Sequence, residues 1–301
     1  MLVIDGPSGN GIGRSIASAL GCEFLESLHN IFPDGESEVG IGSAVKGKDV
    51  LLVQSTYPLQ DKRMIELLLL ADDAKKQGAK SVSAVVPYLA YARQDERHAE
   101  KGNAVSINTI LSMLSFSGIT TLITVAPHNT ESLSSFDGRV TIVDAVPPLA
   151  EAVKKNVSNP FVLAPDKGAL DLARRFAKVL GCGCTNINKH RDKLTGKLNI
   201  LNAPKEDFNG KEVVIVDDMI STGGTIEQTS RFAHANGASK VVVAAAHLLM
   251  AGNAYDRITA AGVKELYGTN TIPYDKAHIV DISGAIAKAL SNPSPMQHAK
   301  Y

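Results

Sequence analysis

The chain of 301 residues has little of what would commit it to several protein classes. It carries only three cysteines, Cys22, Cys182 and Cys184, an odd count. No disulfide framework is indicated, and free thiols in a reducing cytoplasm are expected. Cys182-Gly183-Cys184 has no second ligand pair of matching spacing, which argues against a zinc site. Neither sign of charge dominates, with 31 basic residues against 31 acidic ones. Nothing in that balance suggests a surface for nucleic acid or for an anionic membrane. No apolar run is long enough to span a bilayer. Met1-Leu-Val-Ile-Asp5 reads as a first strand and lacks the basic start of a signal peptide. Two nucleotide motifs are also missing. In Gly9-Asn-Gly11-Ile-Gly13 the third glycine of a dinucleotide fingerprint would fall at Arg14, and no lysine-terminated P-loop occurs. That stretch reads instead as a glycine-rich turn into a helix from Arg14 to Leu20.

What the chain does have is internal repetition. A hydrophobic content of 44% is enough for real cores, and the length suits two domains of ordinary size. Lys48-Asp-Val-Leu-Leu-Val-Gln-Ser-Thr56 matches Lys211-Glu-Val-Val-Ile-Val-Asp-Asp-Met219. Each is followed by a helical segment ending in Gly-Ala, at Gly78 and Gly237, and then by a new apolar strand. Upstream, Ala19-Leu-Gly-Cys22 matches Val179-Leu-Gly-Cys182. Alternating strands and helices imply mainly parallel sheets flanked by helices. The expected architecture is α/β, with similar domains at 1–143 and 144–301. The copies differ where chemistry would sit. Gln54-Ser55 stands where the second copy has Asp217-Asp218, and the glycine loop that follows is absent from the first.

Val213 to Thr225 is the most informative stretch. Val213 to Val216 reads as a strand buried on both faces, and Asp217 and Asp218 stand where it should end. Ser221, Thr222, Gly223, Gly224 and Thr225 form a tight loop, and a helix is expected from Ile226 to Ala235, stopped by Asn236-Gly237. Strand, small polar loop and helix start make a phosphate site, because free N–H groups and the helix dipole point at the anion. An acid pair cannot serve a phosphate. It suits vicinal hydroxyls or a metal ion. A sugar phosphate meets both demands, and this stretch resembles the phosphoribosyl diphosphate motif of the phosphoribosyltransferases.

Other candidates lie at strand ends, where open α/β sheets bind ligands. Tyr91-Ala-Arg-Gln-Asp95 offers Arg93 for phosphate and Gln94 for a base edge, or is an ordinary surface loop. His128 follows a strand from Leu122 to Val125, and is a ligand, a phosphate donor or simply structural. Asp166 follows Phe161 to Leu163, and is a magnesium ligand or the N-cap of the next helix. Phe32-Pro-Asp34-Gly-Glu36 is a turn whose aromatic could stack on a purine, although residue type alone slightly favours a core position. Lys189 to Asn209 is long, polar and turn-rich, with a short strand from Leu198 to Leu201. It reads as a hairpin and a functional lid, against the bland alternative of a solvated loop.

These pieces together resemble the ribose-phosphate diphosphokinase family over nearly the full length. Lys167-Gly168-Ala169, where the commonest form has Ala-Gly-Gly, resembles the archaeal type. The resemblance implies two phosphoribosyltransferase-like domains and transfer of a diphosphoryl group from Mg2+-bound ATP to ribose 5-phosphate, with release of AMP. It implies that Arg93, Gln94 and His128 bind ATP, and that Phe32, Asp34 and Glu36 clamp adenosine from a neighbouring subunit of a homo-oligomer, dimer or larger. It assigns metal binding to His128 and Asp166, a mobile catalytic loop to Lys189 and Arg191, and ribose 5-phosphate to Asp217, Asp218 and Ser221 to Thr225. Two alternatives remain: a transferase that consumes phosphoribosyl diphosphate, and a non-catalytic associate of true synthetases.

Overall fold

The computed structural model describes residues 1–42, 45–97, 102–191, 198–202 and 207–292, excepting the side chains of 188–191 and 198–202. The first unit opens with β1 (Leu2–Asp5), α1 (Ile12–Leu20) and β2 (Glu23–Glu26). A hairpin follows, β3 (Leu28–Ile31) and β4 (Ser37–Gly40), then β5 (Asp49–Val53), α2 (Gln60–Lys76), β6 (Ser81–Val86), α3 (Ser106–Phe116), β7 (Thr121–Val125) and β8 (Arg139–Val143). Its sheet has the order β2-β1-β5-β6-β7-β8, with every pairing parallel.

The second unit opens with α4 (Val146–Lys154), β9 (Pro160–Ala164), α5 (Leu170–Leu180) and β10 (Cys184–Asn186). A hairpin of β11 (Asn188–Arg191) and β12 (Leu198–Asn202) comes next. It is followed by β13 (Glu212–Ile220), α6 (Gly224–Ala235), β14 (Lys240–Leu248), α7 (Ala254–Ala260), β15 (Val263–Thr269) and β16 (His278–Val280). The sheet order β10-β9-β13-β14-β15-β16 reproduces that of the first unit strand for strand, again all parallel. Both units also place an antiparallel hairpin at the same point in the succession. The repeat read from sequence is thus a repeat of topology.

The matching Leu-Gly-Cys triplets have one local cause. Gly21 and Gly181 close α1 and α5 at φ 62° and 71°, a left-handed conformation that a side chain disfavours. The cysteine after each donates its N–H back to the helix, Cys22 to Ala17 and Cys182 to Ala177. The central strands are apolar on both faces because helices cover both: Val50 to Val53 and Val213 to Val216 are all buried. In α5 the buried positions Ala173, Phe176, Ala177 and Leu180 keep helical spacing, so one face meets the core.

The division of the chain differs from expectation in one place. One unit is Met1–Asp144 with the chain from Ile282 on, and the other is Ala145–Asp281. The last helix, α8 (Ser283–Ser291), packs on α1 and β8 of the first unit. It buries Ile286 and Ala287. An amphipathic helix settles where an apolar face is open to receive it, and sequence position alone does not reveal which sheet offers that face.

Candidate active site

In the second unit the chain leaves β9 towards β10 on one side and leaves β13 towards β14 on the other. The crevice between β9 and β13 is therefore the topological switch point, where such sheets hold ligands. β13 does not stop at Val216 as expected. It runs on to Ile220, with Asp217 opposite Ala245 and Ile220 opposite Leu248 on β14. On its other side, pairing with β9 reaches only Ile215, opposite Leu163. The acids thus sit inside the strand, at the point where the sheet has lost one neighbour.

Asp217 and Asp218 are both half-buried, and the Asp218 N–H donates to Asp217 Oδ1 at 3.0 Å. Burial, then the charge of Asp218, hold the Asp217 carboxyl well above the usual carboxylate range, and Asp166 pushes the same way. Three carboxylates therefore share one field at the switch point. Asp166 is exposed, and its Oδ1 accepts the Ala169 N–H at 3.1 Å just before α5. The capping geometry is present, and the second carboxylate oxygen is left for other work.

Helix α6 begins at Gly224, two residues earlier than expected. Gly223 turns the chain into it at φ 74°. A Cβ there would stand 3.0 Å from Ile258 Cγ2 and 3.1 Å from Ala254 O, so both conformation and space require glycine. The loop is pinned from the segment after β14: Met250 N–H donates to Ile220 O at 3.0 Å and Ala251 N–H to Ser221 O at 2.9 Å. The first-turn N–H groups of α6 have no intrahelical acceptor by geometry. With the helix dipole behind them they favour an anion. Arg257 on α7 was missed from sequence. Its Nη1 lies 3.4 Å from where a Cβ on Gly224 would stand, and its Nε is 3.8 Å from Glu227 in the first turn of α6. Only the folded chain brings that cation to the loop.

The corresponding place in the first unit is filled. Gln54, fully buried, accepts the Ser8 N–H at 3.0 Å and donates to Arg63 O and to Glu66. A side chain on Gly6 would collide with Gln54 Oε1. Asp5 ends β1 nearby and accepts the Gly13 N–H at 3.0 Å. Gly9 and Gly13 wrap this carboxylate so closely that a Cβ on either would overlap it. This is what the glycine-rich turn serves, and α1 starts from it at Ile12 rather than Arg14.

Two other candidate segments meet in the first unit. The stretch Tyr91–Asp95 follows β6 and His128 follows β7, and those strands are neighbours. Asn129 Nδ2 donates to Asp95 Oδ2 at 2.7 Å, tying the two loops together. Tyr91, at φ 66°, donates its hydroxyl to Asp61. Gln94 Oε1 accepts from Ser106 Oγ at 2.7 Å. Arg93, Gln94 and His128 are all exposed. Phe32 is 42% exposed, so the core position favoured by residue type is ruled out. Asp34 and Glu36 are exposed beside it, and Asp34 Oδ1 accepts the Glu36 N–H at 3.1 Å. Lys189 and Arg191 fall on β11, which pairs with β12 as the expected hairpin. Their side chains, and residues 192–197, lie outside the described residues. Among the described residues no group of three or more His, Cys, Asp or Glu side chains forms a ready ion site.

Residues 1–118 match the family model for the N-terminal domain of ribose phosphate pyrophosphokinase, and residues 141–273 match that of the phosphoribosyl transferase domain. A ribose-phosphate pyrophosphokinase of Sulfolobus acidocaldarius is 44% identical over 96% of this chain and 100% of its own length. The chain belongs to the ribose-phosphate pyrophosphokinase family. The Saccharolobus solfataricus member is 46% identical, again over 96% of this chain and 100% of its own. The Aquifex aeolicus member is 32% identical over 96% and 94%. The crystal structure of phosphoribosylpyrophosphate synthetase from Mycobacterium smegmatis superposes with a TM-score of 0.85 at 25% identity, covering 97% of this chain and 99% of that one. As a family member the protein is an enzyme that synthesises phosphoribosyl diphosphate from ATP and ribose 5-phosphate. The alternatives of a consuming transferase and a non-catalytic associate give way to that reading. Among the described residues no helix is long and apolar enough to cross a membrane.

Proposed function

We propose the following division of labour for that reaction. Asp217 and Asp218 accept hydrogen bonds from the ribose 2- and 3-hydroxyls. Ser221, Thr222, Gly223, Gly224 and Thr225 hold the 5-phosphate against the start of α6. One observation carries this reading: an acid pair on β13 is followed directly by a glycine-bearing loop and helix start at a switch point. Arg93, Gln94 and His128 bind ATP. In a homo-oligomer, dimer or larger, a neighbouring subunit adds Phe32, Asp34 and Glu36 to the adenosine. The exposure of all three supports that role.

Magnesium is the fitting cofactor. It needs few protein ligands because it keeps waters and takes phosphate oxygens. His128 of the first unit and Asp166 of the second are the residues assigned to it. Bound there, it would neutralise charge on the phosphates. The anomeric hydroxyl of ribose 5-phosphate attacks the β-phosphorus in line. The bond from that phosphorus to the oxygen bridging the α- and β-phosphates breaks, and AMP leaves with the bridging oxygen. Lys189 and Arg191 neutralise charge on the transferred group and the leaving oxygen. No side chain is assigned as general base. Three free thiols support a cytoplasmic setting.

The test is AMP release from ATP, dependent on ribose 5-phosphate, in the wild type and in Asp218→Asn. The variant is expected to keep its circular dichroism spectrum and lose most of its turnover. Wild-type turnover and wild-type affinity for ribose 5-phosphate in the variant would overturn the assignment.

A further inference from the structure

The β3–β4 hairpin belongs to neither main sheet. Every residue of β3 is exposed, and the turn it carries, Phe32 to Glu36, has little apolar cover. The hairpin lies along α2 instead, through β4. Three polar residues of α2 and Gln77, its C-cap, make the attachment. Lys62 Nζ donates to Gly35 O at 3.1 Å, inside the turn itself. Glu66 accepts from Ser37 Oγ at 2.7 Å and from His29 Nε2 at 3.2 Å. Asp73 accepts the Ile41 N–H at 2.9 Å, and Gln77 donates to Ile41 O at 3.2 Å. At 100° per residue these four fall within a stripe about 60° wide. Lys62 to Gln77 spans about 22 Å of helix, and its partners run in chain order from Gly35 in the turn, through Ser37, to Ile41 just past β4.

Glu66 is the keystone. It is fully buried, and besides the two hairpin donors it takes Arg63 Nη1 at 2.8 Å and Gln54 Nε2 at 3.3 Å. Burial works to raise its pKa, but the bonds from Ser37 and Arg63 and the charge of Arg63 outweigh it and hold it ionised. A buried carboxylate with four donors fixes direction as well as distance. Through Gln54 it also reaches the filled crevice of the first unit. The side chain that stands where the second unit has its acid pair thus braces the turn.

We propose that Glu66 is a positioning residue for nucleotide binding, setting the angle at which the Phe32–Glu36 turn is presented. The inference rests on the reading of that turn as part of the ATP site. Steady-state kinetics on the full chain for Glu66→Gln, Phe32→Ala and the double variant tests both. Glu66→Gln is expected to raise the KM for ATP about tenfold, the scale of one lost charge-assisted hydrogen bond. The KM for ribose 5-phosphate should stay within about twofold. The double variant should be no worse than Phe32→Ala alone, because both changes remove one contact. A merely structural role would lower the thermal midpoint and the active fraction and leave both KM values in place. A wild-type KM for ATP in Glu66→Gln, beside a raised one in Phe32→Ala, overturns the positioning role and leaves the turn in the site. A wild-type KM in Phe32→Ala removes the turn from the site and the inference with it. Should Glu66→Gln fail to fold, Lys62→Ala at the rail's end takes its place, with the same direction expected and the same result overturning it.

Discussion

Two adjacent carboxylates in one half-buried crevice repel each other until something arrives to share their charge. In the free enzyme Asp217 is held above the usual carboxylate range by burial and by Asp218. If both acids must be ionised to accept the ribose hydroxyls, kcat/KM for ribose 5-phosphate falls as pH drops through that raised pKa. Removing the Asp218 charge lowers the Asp217 pKa. In the residual activity of Asp218→Asn the acid limb of the pH profile should therefore move to lower pH, and an unmoved limb would separate the pair from the titration. Asp5 makes a second case. Burial outweighs the Gly13 N–H bond and pushes it up to about 6. A carboxyl with a raised folded pKa binds its proton more tightly when folded. Its presence therefore costs stability as pH rises from the ordinary carboxylate range to about 6, and the cost is constant above that. Asp5→Asn should melt higher than wild type at about pH 8 and nearly level with it at about pH 4. Thermal melts at both values check this, and equal shifts at the two would refute it. The acid pair and its glycines were legible in sequence because their types are wrong for a plain buried strand. Arg257 and Asp61 were not, since each meets its site only through tertiary packing.

At the scale of elements, the hairpins were the harder part to read. β11–β12 was expected as a polar excursion with a short strand, and the pairing is there. β3–β4 went unread as a hairpin because its strands are four residues each and mix exposed apolar with polar residues, so no period stands out. The end of β13 was misjudged for a physical reason. Sequence suggests that charge ends a buried strand, but here β14 supplies a ladder as far as Leu248 while β9 withdraws. If the β11–β12 hairpin closes over ATP, its cations meet the phosphates as charge builds in the transition state. Interactions made only then set turnover rather than ground-state affinity. Lys189→Ala and Arg191→Ala should each cut kcat by about a hundredfold or more, with little change in either KM. Unchanged turnover in both would leave the hairpin a solvated loop.

At the scale of the whole molecule, the repeat of about 160 residues was visible in the sequence, and so was the parallel order it implies. Exposed Phe32, with exposed Leu28 and Ile31 on the same hairpin, gives the first unit an apolar margin. A margin of that kind suits a subunit contact. Phe32→Ala should raise the KM for ATP far more than that for ribose 5-phosphate, and a fully active monomer in sedimentation at assay concentration would contradict completion of the site by a neighbour.

The placement of α8 has a consequence for how the protein is made. Ala145–Asp281 is continuous in the chain, so every piece of the second unit is available once Asp281 has been synthesised. The first unit is not continuous. The helix that covers α1 and β8 is encoded after all sixteen described strands. On the ribosome, where domains ordinarily mature from the N-terminus forward, the flank of the first unit that α8 covers stays bare until the second unit has been synthesised in full. A chain stopped at Asp281 would hold all the residues assigned to both substrates and still lack the piece that lets its first half settle.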